Sequence, residues 1–375
     1  MNTVCDRDDC TGCNVCLNVC HRNAISIKDS ITSLNACIEE DKCIGCKACY
    51  NVCPNIKHPD FKKPIFFYQG YANGTLREAG SSGSIATAIE QAFLRDGGYV
   101  FSCTFESGSF RYVLASDESE ATLFSGSKYT KSSPGFVYQE IDALLRDNKK
   151  VLFLGLPCHV AALLNYVQSK DNLYCVDLIC HGTPSSLLLV KYLREKKRNI
   201  HDIKNISFRN KTVFGLEIDG CKLLPKRVVD SYTNAFLYGI DYTENCYSCR
   251  YARTERVSDL TLGDYWGSAE EELKKGISLI LCMSDKGGEL LNRSHIWYEE
   301  ADVDNALTHN HQLVHPTLRS SKRDYFLNAI LKGKDFTTAY FKAMPKDAIK
   351  QSIKYFYFRH RQEIPDSIMG IDNEK

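Results

Sequence analysis

A chain of 375 residues is long enough for two or three domains and a sizeable core, and its 43% hydrophobic and 25% charged residues match an ordinary soluble globular protein. With 47 basic against 46 acidic residues the formal charge is +1, so no net field recruits nucleic acid or an anionic membrane. The longest apolar stretch, 151–164, is too short to span a bilayer and is broken by Gly155, Pro157 and His159. Residues 1–10 carry four charges and no apolar run, which is not the pattern of a signal peptide. A cytoplasmic protein is expected.

Cysteine is the unusual residue: there are 18, and ten precede Pro54. In a reducing compartment such grouping points to metal rather than to disulfides. Cys10-x2-Cys13-x2-Cys16-x3-Cys20 is followed by Cys43-x2-Cys46-x2-Cys49-x3-Cys53, a duplication offset by 33 residues that also repeats Gly12 as Gly45. Three cysteines on a tight turn reach three irons of one cubane, and the fourth, expected to start a short helix, reaches the other cluster. Cys10, Cys13, Cys16 and Cys53 are therefore expected on one 4Fe–4S cluster, and Cys43, Cys46, Cys49 and Cys20 on its twin. Two zinc sites are the alternative, but zinc seldom takes four cysteines at this spacing twice. Between the motifs, 24–27 and 31–34 alternate around 28–30 like a β-hairpin. Residues 1–60 resemble the bacterial two-cluster ferredoxins; His21 stands where that family usually has proline, whereas Pro54 keeps the rule. Cys5 and Cys37 fall outside both motifs and read as structural.

A proline- and lysine-rich linker, 54–64, ends this module. Strands are predicted at 66–72, 99–105, 151–155 and 173–179, and helices at 84–96 and 158–168, a β-α-β order that reads as mixed α/β. Beyond about Ala301 the chain turns helical.

Ser81-Ser82-Gly83-Ser84 leads straight into a helix. Small residues there admit a phosphate to the helix N-terminus, though a simple N-cap is the alternative. Neither a dinucleotide fingerprint nor a P-loop motif occurs at a strand-to-helix junction. Cys158 follows one parallel strand and Cys180 the next, so both emerge on the edge where such sheets bind ligands. Cys246-x2-Cys249 is half a metal site. These four are a third cluster or else buried structural cysteines with a stray pair. Cys103, Cys175, Cys221 and Cys282 lie in apolar runs and read as core. His309, His311 and His315 read as a solvated group, and the basic aromatic stretch 347–361 as a packed helix with membrane or partner docking as the alternative.

Six phrases in one order are similar to the coenzyme F420 hydrogenase/dehydrogenase β-subunit family. They are SSGS at 81–84, GSKYxxS at 126–132, VLFLGLPC at 151–158, VDLICHGTP at 176–184, CYSC at 246–249 and DLTLGDYWG at 259–267. With the ferredoxin module the resemblance spans roughly 1–290. It implies domains at 1–60 (ferredoxin), 65–165 and 166–300 (the two parts of the β-subunit region, mixed α/β and flavin-binding), and a helical tail at 301–375. It implies an oxidoreductase with FAD, exchanging hydride with coenzyme F420 or another organic partner, and with ferredoxin as a possible redox partner. Cys158, Cys180, Cys246 and Cys249 become ligands of a third 4Fe–4S cluster. Ser81, Ser82, Gly83, Ser84, Lys128, Tyr129 and Ser132 become FAD contacts, with Asp264 and Trp266 lining the same cavity. Ser84 replaces a glycine and His159 a glutamine of many relatives. Standalone members also occur beside surface-polysaccharide genes, where ferredoxin-driven reduction is implied. A non-catalytic electron-transfer subunit of a hydrogenase or formate dehydrogenase complex is the alternative. A nucleic-acid protein is not supported, since no basic stripe exists.

Overall fold

The computed structural model describes residues 2–225 and 227–359. The chain opens with α1 (Val15–Val19), a hairpin of β1 (Ile25–Asp29) and β2 (Leu34–Ile38), and α2 (Ala48–Val52). Each short helix is entered through a left-handed residue, Asn14 at φ 62° and Lys47 at φ 61°. The third cysteine of each motif, Cys16 or Cys49, therefore lies inside the helix, and the fourth, Cys20 or Cys53, ends it. This corrects the expectation that the fourth cysteine starts a helix: the left-handed turn comes directly after Cys13 and Cys46. The hairpin exists, but its turn is at 30–33 rather than 28–30. Asp29 Oδ1 accepts from the Ile31 amide at 2.8 Å, and Ser30 Oγ donates to the Ser33 carbonyl at 2.9 Å.

There follow β3 (Phe66–Ala72), α3 (Thr75–Ala79), α4 (Ile85–Arg95), β4 (Tyr99–Glu106), β5 (Ser109–Ala115), α5 (Val137–Arg146), β6 (Val151–Gly155), α6 (Pro157–Tyr166), β7 (Leu173–Leu178) and α7 (Ser186–Glu195). Then come β8 (Ile206–Asn210), β9 (Val213–Ile218), β10 (Cys221–Lys222), α8 (Ser231–Leu237), β11 (Leu260–Asp264), α9 (Glu270–Lys275), β12 (Ser278–Cys282), α10 (Asp285–Arg293) and β13 (Ile296–Glu300). The chain continues with α11 (Val303–His309), α12 (Ser321–Leu331), α13 (Phe336–Ala343) and α14 (Pro345–Arg359). Residues 360–375, including the end of the basic tail, lie outside the described residues.

Eight strands form one mixed sheet in the order β13-β3-β12-β11-β7-β6-β4-β5. Its centre, β4, β6, β7 and β11, is parallel, and antiparallel strands flank it on both sides. Alternation sorts the side chains. Leu152, Leu154, Tyr174 and Val176 face α4 and α10, whereas Phe153 and Cys175 face α5 and α6. Cys13 and Val15 belong to the second of these cores, so the N-terminal module is seated on the α5–α6 layer. A separate core joins α7, α8, α12 and α13 to the small sheet β8-β9-β10.

Cys175 and Cys282 are buried, as their apolar runs predict, whereas Cys103 is only half-buried. Cys221 is exposed, contrary to expectation, because it lies on β10, a two-residue strand at the edge of the small sheet. Among the described residues no helix is long and apolar enough to cross a membrane.

Candidate redox site

The two halves of the cysteine repeat have different surroundings. Cys10, Cys13, Cys16 and Cys53 are buried, Cys20 and Cys49 are intermediate, and Cys43 and Cys46 are exposed. Cys10, Cys16 and Cys53 share one small core with Val4, Ile25 and Ala36. Cys20 interacts with Cys49, across the repeat. Cys5, read as structural, is in hydrogen-bond contact with Cys10 and Cys53, and its thiol is pushed up to about 12. Desolvation pushes the Cys13 thiol up to about 11, with the charge of Cys10 adding to it.

Behind the buried half lies a cavity of about 230 Å³ lined by Cys158, Cys180, Cys246 and Cys249, with Lys131 and Thr11 on its wall. Topology gathers the four. Cys158 sits in the first turn of α6 behind Pro157, and Cys180 follows β7, the parallel neighbour of β6. Cys246 and Cys249 lie on a loop anchored by Arg256, which is buried against Asp177 of β7 and donates to the Leu178 carbonyl at 2.7 Å. Among the described residues no three Cys, His, Asp or Glu meet as ligands of a single metal ion. The four cysteines stand around a void instead.

Lys131 is buried between the two cysteine groups, and its Nζ donates to the Thr11 carbonyl at 3.3 Å. Burial opposes its charge, but Cys246, Cys158, Cys180 and Cys10 raise its pKa overall. No sequence signal singles it out, since it falls on an unspecified position of the 126–132 phrase. His159, beside Cys158, is fully buried; desolvation lowers it to about 3, and its Nδ1 meets Tyr112 Oη at 3.0 Å.

The residues expected around a flavin only partly converge, and they converge on Arg209, which no sequence motif marked. Its guanidinium makes two hydrogen bonds to Asp264 at 2.8 and 2.6 Å and one to the Ser81 carbonyl at 3.0 Å. It lies 5.7 Å from the ring centres of both Phe214 and Trp266, and it interacts with Tyr129, which stacks on Phe236 at 4.0 Å. Two buried polar atoms here, Arg209 Nε and Ser84 Oγ, have no partner among the described residues. Lys211 adds a second cation, reaching the Ser82 carbonyl at 3.1 Å, and desolvation with Arg77 and Arg209 lowers it to about 8. His181 joins the two sites: it lines the cysteine cavity, senses Asp264 and Arg209, and is lowered to about 4, chiefly by burial.

Lys128 and Ser132 make their contacts elsewhere. Lys128 Nζ donates to the Phe124 and Ser125 carbonyls, near the fully buried Glu90, whose carboxyl desolvation pushes up to about 8. Ser132 is buried beside Cys103 and Tyr112. At the Ser81–Ser84 turn, the small residue at Gly83 has a packing reason. A Cβ there would come within 2.6 Å of the Gly70 carbonyl and 2.8 Å of the Ser278 amide, so the close approach is to β3 and β12. The Gly83 amide donates to Ser278 Oγ at 3.1 Å. Ser84 is at φ 61°, a left-handed backbone that favours glycine. His311 and His315 are exposed, as expected, but His311 also lies 5.9 Å ring to ring from His181.

Comparison with known proteins adds two family matches. Residues 9–55 match the 4Fe-4S dicluster domain, and residues 148–304 match the family described as the C terminus of the coenzyme F420 hydrogenase/dehydrogenase beta subunit. No curated protein matches. Among solved structures, a chain of the xenon-derivatised F420-reducing NiFe hydrogenase complex from Methanosarcina barkeri matches at 14% identity and TM-score 0.45, covering 72% of this chain and 95% of that one. Residues 148–304 thus carry the C-terminal region of the coenzyme F420 hydrogenase/dehydrogenase beta-subunit family, an oxidoreductase-type family, and residues 9–55 a 4Fe–4S dicluster domain.

Proposed function

We propose that this protein is an iron–sulfur flavoenzyme that moves electrons between 4Fe–4S clusters and FAD and exchanges hydride with an organic partner, coenzyme F420 or another acceptor. One observation carries the reading: the cysteine groups adjoin one another in series. Cys49 of the exposed copy interacts with buried Cys16, Cys13 of the buried copy interacts with Cys158 of the four-cysteine cavity, and His181 on that cavity adjoins the Arg209 group. The spacing of the repeat supports two clusters with the fourth cysteine exchanged. A roomy void ringed by four thiols suits a polynuclear cluster better than one zinc ion, whose four ligands converge at about 2.3 Å.

When bound, FAD supplies the conversion between single electrons and hydride. The protein's own residues bind, orient and shield. Arg209 and Lys211 offer cations to an anionic ligand at the Ser81–Ser84 turn, and Tyr129, Phe214 and Trp266 offer aromatic faces. Asp264 fixes the Arg209 guanidinium, while Lys128 and Ser132 shape the 124–132 segment beside it. Ile44, 68% exposed between Cys43 and Cys46, gives a redox protein such as ferredoxin a place to dock.

The test is anaerobic purification with iron, sulfide and flavin quantified, followed by a donor screen. About twelve irons and one FAD per chain, with flavin bleached by reduced F420 or reduced ferredoxin, is the expected result. Arg209→Gln should lower flavin content while leaving the iron unchanged. A reconstituted chain that holds its iron but no flavin would overturn the enzyme reading in favour of an electron-transfer subunit.

A further inference from the structure

Among the described residues, helix α14 packs mainly through one face. Its inner face is settled by Ala348, which is buried, by Gln351, whose side chain accepts from the Val229 amide at 3.2 Å, and by Phe358, which lies 5.6 Å under the Arg227 guanidinium. The one carboxylate of the helix, Asp347, also points inward and accepts from Tyr340 Oη at 2.7 Å and Tyr238 Oη at 3.1 Å. The outer face carries Ile349, Ile353 and Phe356, which are 49%, 65% and 66% exposed. Spacings of four and three residues put them in one stripe. Lys346, Lys350 and Lys354 recur at four-residue intervals along one edge of that stripe. The outer face is thus apolar with a cationic border and no acid.

We propose that α14 is a membrane-surface helix that lays this stripe on an anionic lipid bilayer. The charge pattern selects the occupant. Lysine stems beside an apolar strip cover it and still send their ammonium groups to the headgroup plane, as an interfacial helix requires. At 15 residues the helix is about 22 Å long, and a flat lipid surface meets the whole stripe and all three lysines at once. The chain's overall charge of +1 means that the attraction is local to this helix.

The test uses the full-length, cluster-loaded protein in anaerobic flotation with phosphatidylcholine vesicles, with and without phosphatidylglycerol. Binding is expected only with phosphatidylglycerol and should be released by high salt. Each lysine near an anionic surface multiplies partitioning roughly fivefold, so the triple variant Lys346→Gln/Lys350→Gln/Lys354→Gln should lose on the order of a hundredfold. Because Lys346 and Lys350 are exposed and Lys354 is only half-buried, and glutamine keeps most of each stem, far-UV circular dichroism and iron content should stay as in the parent. The salt series on the unaltered protein keeps the test independent of any variant. Failure to float with phosphatidylglycerol vesicles, or equal flotation with neutral ones, would overturn the proposal. So would concentration-dependent self-association that Ile353→Asp abolishes without any vesicle binding, since the stripe would then be an interface between copies.

Discussion

The two copies of the cysteine motif share a backbone and differ in how deeply they are buried. Gly12 and Gly45 adopt φ of 69° and 70°, and Asn14 and Lys47 adopt 62° and 61°. Yet Thr11 is 8% exposed and its counterpart Ile44 is 68% exposed. The first copy packs through Cys13 and Val15 onto the α5–α6 layer, beside the four-cysteine cavity, while the second faces solvent. A local repeat therefore dictates the turn that can wrap a cluster. Which copy becomes interior is decided by chain more than a hundred residues away. Under the proposed function this asymmetry would set a direction for electrons: the exposed end of the cysteine series would face a redox partner, and the buried end lies toward His181 and Arg209.

The largest effect expected from this asymmetry is on stability. Cys13→Ser with Cys16→Ser, and Cys43→Ser with Cys46→Ser, should each remove about four irons. Only the first pair also leaves hydroxyls at buried positions, so anaerobic melting should show Tm falling by roughly 5–10 °C there and by about 2 °C for the exposed pair. Equal shifts would mean that burial of the first copy is not what seats the module.

A second test swaps the fourth cysteines. Cys20 interacts with Cys49, and Cys53 packs with Cys10 and Cys16. Cys20→Ala should accordingly spare the buried copy's cluster and cost the exposed copy's about four irons, with Cys53→Ala doing the reverse. Paramagnetic spectra of the two reduced variants, assigned with the serine pairs above, decide it; loss of the sequence-local cluster in either would break the crossed scheme.

How much of the molecule is legible in its sequence follows the same division. The cysteine repeat, the strands β3, β6 and β7 and the helix α4 were legible because local spacing and apolar periodicity determine them. The meeting of Cys158 with Cys180 was legible too, since parallel neighbouring strands must present their ends on one edge. Arg209 was not: it lies on β8 of a separate small sheet, and only tertiary packing brings it to Asp264 and Ser81. Gly83 has a packing role that the sequence did not display. Its missing side chain makes room for the backbone of β3 and β12, so a branched residue there would disturb the sheet whether or not a phosphate binds nearby. Flavin loss in such a variant says little, which is why Arg209→Gln is the sharper probe.

Lys131 tests the comparison electrostatically. It is a buried cation between the first copy and the four-cysteine cavity, and it interacts with Cys10, Cys158, Cys180 and Cys246. Reduction adds negative charge, which a nearby ammonium favours. Lys131→Met should therefore lower the potentials of the two interior clusters proposed above, on the order of 50 mV. The cluster at Cys43 and Cys46 should not move. Anaerobic redox titration resolves the three, and a uniform shift would show that Lys131 acts on the fold rather than on its neighbours.

The smallest effect isolates the backbone from its surroundings. Gly12 and Gly45 sit in the same left-handed conformation, so alanine at either site carries the same conformational cost, about 1–2 kcal/mol. What differs is space. A Cβ at Gly12 would lie 3.0 Å from Leu34 Cδ2, whereas at Gly45 it would meet nothing within 4 Å. Leu34 is buried in β2 and has little room to give, so Gly12→Ala should cost about 1 kcal/mol more than Gly45→Ala. Paired anaerobic denaturation of the two variants measures that difference directly, with the backbone term cancelling. Trimming Leu34 to valine should narrow it by relieving the contact, a coupling expected only between touching residues. A gap that persists unchanged in the Leu34→Val background would mean that the first copy's turn is held by something other than the core it is buried in.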